Sequence, residues 1–451
     1  MKSLAVAKIG GSILRNPQGM VDALNVLEKH PQIKIAIVSA TFNTTNELEE
    51  IAKASVSDDP NIENLFKNLL EKHIYYVQKL DLSPSTQEKI NSILNDVRKI
   101  SSEIKKVGSL TSKNMDSIYA AGELISAQLF TNFLEKKLIN RKVKYIDART
   151  LIKTDSNFNS AKPLKKEIKN AINSLVLPFL EDDSLFVIPG FIGSNQLGET
   201  TTLGREGSDF SAALLAEATY STELQIWKDV PGIFTGDPKL IKNAQAISEI
   251  SFEEVNRFSE KGAKILFPSA LIPVMEANIP VYIGWIHDHK KGTKILKKMD
   301  KAPKLIGVTA QTEFLRFELD KKRLEMSPLR LAENVKIILE EQKIHFSALF
   351  QEKDRVVFHV PLKERFPEAA QKLLEEFCYI SKFPNITLLS VVGVEIEPYK
   401  SQMLKVVSDL EKEGTSLILA EENPNYLTFS FPSRAEEKVL NYVHDKLFLK
   451  M

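Results

Sequence analysis

Short apolar runs alternate with amphipathic stretches over the first two thirds of this 451-residue chain. Leu4–Ile9, Ile33–Val38, Val143–Ile146, Leu185–Ile188, Leu224–Trp227 and Val281–Ile283 read as short buried strands. Val21–Lys29, Ile62–Leu80, Met115–Leu138, Leu164–Phe179 and Phe210–Ala218 carry the helical period. Strands alternating with helices predict an α/β fold, a mostly parallel sheet sandwiched by helices. Residues from about 60 to 140 are almost wholly helical, an insert in that core.

After a charged, proline-ended linker at 297–303 the pattern changes. A helix begins at Ser327-Pro328, a favourable N-cap and first-turn pair, and runs to about Glu341. Strand Phe346–Phe350 enters the acidic turn Glu352-Lys353-Asp354, Val356–Val360 returns to Pro361, and a helix follows from Pro367. The series then recurs: strand Ile386–Val392, helix at about Ser401–Glu413, strand Ser416–Leu419, acidic turn Glu421-Glu422-Asn423, strand Tyr426–Phe431, Pro432 and a last helix. This is a repeated α+β unit of about 70 residues, close to the split βαβ type. The expected division is 1–298, then 303–380 and 381–451, with a strand at about 304–312 available to join the last.

Composition narrows the function classes. Sixty Lys and Arg balance fifty-nine Asp and Glu, so no nucleic-acid or membrane preference follows. The N-terminal apolar run ends at Lys8 without a cleavage pattern and reads as a strand. No uncharged run approaches the ~20 residues that cross a bilayer. A soluble, cytoplasmic protein is expected. The one cysteine, Cys378, sits beside Leu374 and Phe377, which suggest an amphipathic helix, and reads as a core thiol. The seven histidines are scattered without metal-ligand spacing, so no metal site is expected.

Four stretches carry candidate chemistry. Lys8-Ile9-Gly10-Gly11-Ser12 follows the first strand and offers a cation beside close-approaching backbone amides. Gly198-Glu199-Thr200-Thr201-Thr202-Leu203-Gly204-Arg205-Glu206-Gly207-Ser208-Asp209 opens a helix, where free amides and the dipole suit an anion; Ser208 or Asp209 also suits a simple cap, but a cap does not require Arg205 and three threonines nearby. Trp227-Lys228-Asp229-Val230-Pro231-Gly232-Ile233-Phe234 and the following Asp237-Pro238-Lys239 form a loop at a strand's carboxyl end. Gly262-Ala263-Lys264-Ile265-Leu266-Phe267-Pro268 follows a helix.

In order and spacing these blocks resemble the signatures of the aspartate kinases of the amino-acid kinase superfamily. The shorter stretches Ser39-Ala40 with Thr45-Asn46, and Gly122-Glu123-Leu124, match two more of that family's blocks. The helical insert is similar to the lysine-sensitive, monofunctional branch, and the C-terminal repeat to tandem ACT domains. The resemblance implies phosphoryl transfer from ATP, with Mg2+ on its phosphates, to the side-chain carboxylate of L-aspartate. That is the first step towards lysine, threonine, methionine and diaminopimelate. It implies Lys8 on the transferred phosphate and the amides of Gly10, Gly11 and Ser12 around it. It implies Arg205 on the substrate α-carboxylate, and Glu123 and Asp209 on its ammonium, with Asp209 also holding Lys8. Ser39, Thr45, Gly207 and Ser208 complete the substrate side. Lys228, Asp229, Phe234, Lys239, Lys264 and Ile265 fall to the nucleotide. A carboxylate acceptor is already ionised at neutral pH, so positioning and charge neutralisation replace a general base.

Several positions depart from the family pattern. Lys228 stands for Thr, Phe234 for Tyr, Lys239 for Arg, Ile9 for Phe and Phe267 for His. Glu206 stands where Gly is usual, and a carboxylate there repels ATP or aspartate unless it faces solvent. The resemblance also implies a homodimer formed through the ACT units and an amino-acid effector. The altered stretches Glu325–Leu329 and Gln351–Arg355 predict a weakened response to lysine or a different effector. The rival readings are another amino-acid kinase, on glutamate, N-acetylglutamate, UMP or carbamate, and a catalytically silent ACT-containing sensor.

Overall fold

The computed structural model describes residues 3–180, 184–263, 265, 268–299, 304–322, 327–352, 355–364 and 366–449. They form two compact units: Met1–Ile233 with Ser248–Phe252 and Phe267–Lys298, and Phe234–Ile247 with Glu253–Leu266 and Met299–Met451.

The first unit is built on β1 (Ala5–Ile9), α1 (Pro17–Lys29), β2 (Ile33–Val38), α2 (Thr44–Ser57), α3 (Ile62–Lys79), α4 (Pro84–Val107), α5 (Ser112–Lys137) and β3 (Val143–Tyr145). It continues through α6 (Lys165–Leu175), β4 (Leu185–Pro189), β5 (Ile192–Ser194), β6 (Thr200–Thr202), α7 (Gly207–Ala218), β7 (Glu223–Lys228), β8 (Glu249–Ser251), β9 (Val281–Trp285) and β10 (Lys290–Leu296). The sheet runs β8-β10-β9-β7-β1-β2-β4-β3. Its ladders are parallel except β9–β10. All six expected strands lie in it. The two it adds, β8 and β10, are short or lysine-rich (KKGTKIL) and lack an apolar run.

Central strands of a parallel sheet are covered on both faces, and β1 is buried at all five positions. A lysine in such a strand is tolerated only at its end and only with a partner, which is where Lys8 stands. The helices begin on local signals. Asn16 caps α1 by accepting from the Gly19 amide, with Pro17 in the first turn, and Thr111 and Asn114 form a reciprocal capping box for α5. The insert of α3, α4 and α5 buries Phe66, Leu69, Ile90, Leu94, Ile118 and Phe130 in the same core as the sheet.

In the second unit the repeat is explicit. β11 (Leu305–Lys321), α8 (Pro328–Glu341), β12 (Ser347–Glu352), β13 (Arg355–Pro361) and α9 (Glu368–Glu375) are followed by β14 (Cys378–Gly393), α10 (Lys400–Lys412), β15 (Ile418–Asn423), β16 (Tyr426–Pro432) and α11 (Glu436–Phe448). The six strands make one antiparallel sheet, β12-β13-β11-β14-β16-β15. The long strands β11 and β14 run through both repeats, and residues 305–311 pair with 388–393. Pro361 lies opposite Phe314 and Pro432 opposite Ile386, while Phe314 and Ile386 face each other. The two prolines therefore end equivalent strands at one level of the sheet, where a missing N–H costs no ladder bond. Each repeat has its own core, Phe317, Leu331, Val335, Phe358 and Leu374 in one, Leu389, Met403, Val406, Phe429 and Val443 in the other.

Ser327 caps α8 by accepting from the Arg330 amide. Cys378 is buried, its thiol donates to the Leu374 carbonyl at 2.8 Å, and burial pushes its pKa up to about 12. It is a core thiol. Among the described residues no group of His, Cys, Asp or Glu is arranged to hold a metal ion, and no helix is long and apolar enough to cross a membrane.

Candidate active site

The carboxyl ends of β1 and β2, the amino end of α7 and one face of α5 enclose a cavity of about 510 Å³ in the first unit. Lys8, Ser39, Thr45, Glu123, Arg205, Gly207 and Ser208 all line it. These residues come from five separate stretches of sequence.

Lys8 is set by the parallel pairing of β1 with β2 and β7, opposite Ile37 and Ile226. Its ammonium lies 2.7 Å from Oδ1 of Asp209, and the side chains are 10% and 2% exposed. Asp209 does not cap α7. The helix starts at Gly207, earlier than the apolar pattern indicated, and Glu206 is the capping residue without a side-chain cap bond. Asp209 thus occupies the first turn, where the helix dipole favours a carboxylate.

The paired glycines differ. A Cβ on Gly11 would stand 2.8 Å from the Ala40 carbonyl oxygen, so the turn can pass the 39–40 segment only without a side chain. A Cβ on Gly10 would stand 3.4 Å from the Lys8 ammonium, in ordinary contact with it. Ser12 is exposed.

Glu123 is buried on α5. Its Oε1 accepts from the Ala40 amide at 3.4 Å, whereas Oε2 is buried with no hydrogen-bond partner. Burial pushes its pKa up to about 8, against a smaller opposing contribution from the Ala40 amide. A carboxyl group left half-satisfied on a cavity wall is a ready acceptor for an ammonium group.

Glu206 is exposed and also lines the cavity, with φ +54°, in the left-handed region that favours glycine. A non-glycine residue there costs roughly 1–2 kcal/mol.

The wall is completed by Thr202 and Gly204, which the helix-opening motif contains, and by Met115, Tyr119, Asn159 and Phe191, which no motif announced. Met115 and Tyr119 stand eight and four residues before Glu123 on α5, so helical spacing from Glu123 gave a signal for them. Phe191 gave none. It follows β4 at φ +68°, held by the Ser211 hydroxyl on its amide and by the Leu203 amide on its carbonyl.

Among the described residues, the expected nucleotide residues Lys228, Asp229, Phe234, Lys239 and Ile265 do not line this cavity. Lys228 ends β7 opposite Trp285, half-buried, and burial lowers its pKa while the Asp209 carboxylate opposes that shift. Asp229 follows it. Phe234 and Lys239 belong to the second unit, in a stretch fastened to α11. There Thr235 Oγ1 hydrogen-bonds Nε2 of buried His444 at 2.8 Å, the Lys242 amide donates to Asn441 Oδ1 at 2.9 Å, and the Asn441 side-chain amide donates to the Leu240 carbonyl at 2.7 Å. Ile265 also lies in the second unit, its amide donating to the Ala263 carbonyl at 2.9 Å. Lys264 and Phe267 fall outside the described residues, as do residues 325, 326, 353 and 354 of the altered effector stretches.

Comparison with known proteins agrees with this architecture. Residues 3–284 match the amino acid kinase family. The lysine-sensitive aspartokinase 3 of Escherichia coli is 27% identical over 459 aligned positions, covering 99% of this chain and all of that one. The E. coli aspartokinase III structure in complex with lysine and aspartate (T-state) superposes with a TM-score of 0.82 at 25% identity over 99% of both chains. The complex of the same enzyme with aspartate and ADP (R-state) gives 0.79 at 24% identity, over 99% of this chain and all of that one.

Proposed function

The chain belongs to the amino acid kinase family, and from that premise we propose that it is an aspartate kinase, converting ATP and L-aspartate to ADP and 4-phospho-L-aspartate. The observation that carries this reading is the charge pattern of one cavity. Two cations, Lys8 and Arg205, and a buried carboxyl with an unpartnered oxygen, Glu123, line the same 510 Å³ space. That set is complementary to an amino acid bearing a second carboxylate. It also leaves a lysine for the phosphoryl group.

In this reading Arg205 takes the α-carboxylate as a bidentate fork, and Glu123 takes the ammonium. Ser39, Thr45 and Ser208 add hydroxyls, and Gly207 an amide. An oxygen of the aspartate side-chain carboxylate attacks the γ-phosphorus, the bond from that phosphorus to the β,γ-bridging oxygen breaks, and ADP leaves with the electron pair. Lys8, held by Asp209 and flanked by Gly10, Gly11 and Ser12, neutralises charge on the transferred group. Mg2+ arrives with ATP. Lys228, Asp229, Phe234, Lys239, Lys264 and Ile265 contact the nucleotide. The relatives in complex with ADP, aspartate and lysine support ATP and aspartate as substrates, and lysine or a similar amino acid as effector of the repeated C-terminal units. Cytoplasmic residence, a homodimer through those units and the division at about 298 and 380 belong to the same proposal.

The test is ADP formation from ATP and Mg2+ with aspartate, glutamate, N-acetylglutamate, UMP or carbamate as acceptor, acyl phosphates being trapped by hydroxylamine as hydroxamates. Product with aspartate and none with glutamate, N-acetylglutamate, UMP or carbamate supports the reading. Product with one of the latter alone overturns it, and none with any acceptor leaves the silent sensor.

A further inference from the structure

Asp116 is a buried carboxyl on α5 that the proposed chemistry does not use. It stands between two lining residues in sequence, one after Met115 and three before Tyr119. Both of its oxygens accept from the Asn159 amide at 3.0 Å; in addition Oδ2 accepts from the Thr202 amide at 2.8 Å and Oδ1 from the Thr202 hydroxyl at 2.7 Å. Every neighbour is a donor, the pattern of an ionised carboxylate with no proton of its own to place. Burial raises its pKa, and these same donors oppose the shift.

The clamp leads to the arginine. Asn159 sits at φ +68° and Gly204 at φ +79°. A Cβ on Gly204 would stand 3.2 Å from the Asn159 carbonyl oxygen, so the two backbones are in direct apposition. The Ala161 amide donates to the Thr202 carbonyl at 2.9 Å. Asn159 is thus held through its amide by Asp116 and abuts, through its carbonyl, the residue preceding Arg205. The other attachment of Asp116 is Thr202, three residues before Arg205 on the same strand-to-helix segment. Arg205 itself is exposed, and the backbone beneath it fixes where its side chain starts.

We propose that Asp116 is a positioning residue that, through Asn159 and Thr202, fixes the loop carrying Arg205 and thereby sets affinity for the acidic amino acid without taking part in phosphoryl transfer. The inference rests on the aspartate kinase reading.

The experiment compares Asp116→Asn and Thr202→Val with the unaltered chain in steady-state assays varying aspartate and ATP separately, with thermal unfolding of each protein. Asp116→Asn is expected to raise KM for aspartate about tenfold or more, with kcat and KM for ATP within about twofold. Thr202→Val, which deletes one of the donors but leaves the carboxylate, is expected to move the same parameter in the same direction by a smaller factor. If Asp116→Asn lowers the unfolding temperature and leaves KM for aspartate unchanged, or if kcat and both KM values shift together, the inference fails. Should Asp116→Asn not fold, Thr202→Val decides: an unchanged KM for aspartate overturns the proposal, and a selective rise supports it. Absence of turnover in the unaltered chain is a failure of the parent reading and is distinguishable from both.

Discussion

The Lys8 ammonium and the Asp209 carboxylate meet at 2.7 Å although their residues are two hundred positions apart, and both are nearly removed from solvent. Removing one partner from a buried pair leaves an uncompensated charge, at a cost of about 3–5 kcal/mol. Lys8→Met is therefore expected to abolish turnover and lower the unfolding temperature. Asp209→Asn keeps the shape and releases Lys8 from its anchor. A fall in kcat of roughly 10²-fold or more is expected for it, on the scale of losing one preorganised electrostatic contact. A kcat for Asp209→Asn within threefold of the parent would show that the pair does not position Lys8.

Glu123 makes ligand binding proton-linked. Its folded-state pKa is raised from 4.5 to about 8. Its contribution to stability is thus fully present below about pH 4.5 and is lost as pH rises through about 8. An ammonium group docking on the unpartnered oxygen favours the carboxylate, so aspartate binding at pH 7 is expected to release a proton. Calorimetry in buffers of different ionisation enthalpy measures that release, and Glu123→Gln should abolish it while weakening aspartate binding.

Acid stability is expected to depend on His73. This side chain is fully buried, bonded to the Thr41 hydroxyl at 2.9 Å and the Leu69 carbonyl at 2.7 Å, and burial lowers its pKa from 6.5 to about 4. The unfolded chain takes up a proton there that the folded chain refuses. Stability is therefore lost as pH falls from about 6.5 to about 4 and is flat with respect to this group below that, a span of about 3 kcal/mol. Denaturant titrations at pH 7 and pH 4.5 should reveal the loss, and His73→Gln should shrink it.

Glu206 adds a negative charge to a wall where two anions are to meet, and does so from a backbone conformation that suits glycine. Glu206→Gly is expected to lower KM for aspartate about fivefold, the size of an exposed charge acting at a few ångströms (about 1 kcal/mol). The gain should diminish with added salt. A KM that is unchanged at low salt would mean that Glu206 directs its charge away from the substrate.

The stretch carrying Phe234 and Lys239 is tied to the last helix by the buried Thr235–His444 bond. Thr235→Val leaves the buried histidine nitrogen and the Gln245 amide without their partner, costing about 1–3 kcal/mol locally. KM for ATP is expected to rise with KM for aspartate unchanged. A selective effect on aspartate instead would separate this stretch from the nucleotide.

Much of the fold was legible because periodicity reports burial. Strands covered on both faces must be continuously apolar, and five such runs became interior strands of one sheet, while the sixth, Val143–Tyr145, is its half-buried edge strand. The recurrence of Pro361 and Pro432 marked equivalent strand ends before any pairing was known. Polar strands escaped: Lys290–Leu296 has its lysines on an antiparallel ladder near the sheet's edge and offers no apolar run. Phe191 and Asn159 escaped for another reason. Their roles come from non-local contacts, and a positive φ at a phenylalanine is imposed by its surroundings and is not encoded in its type.

The sequence by itself determined which chemical groups this protein owns and the order in which strands, helices and glycine turns present them, because secondary-structure period and backbone freedom are local properties. Only the tertiary structure decided that one oxygen of Glu123 is left without a donor, that Asp116 clamps the loop before Arg205, and that the Phe234 stretch belongs with the last helix. Those outcomes depend on distances between residues far apart in the chain, and such distances are fixed only when the core closes and water is excluded from between them.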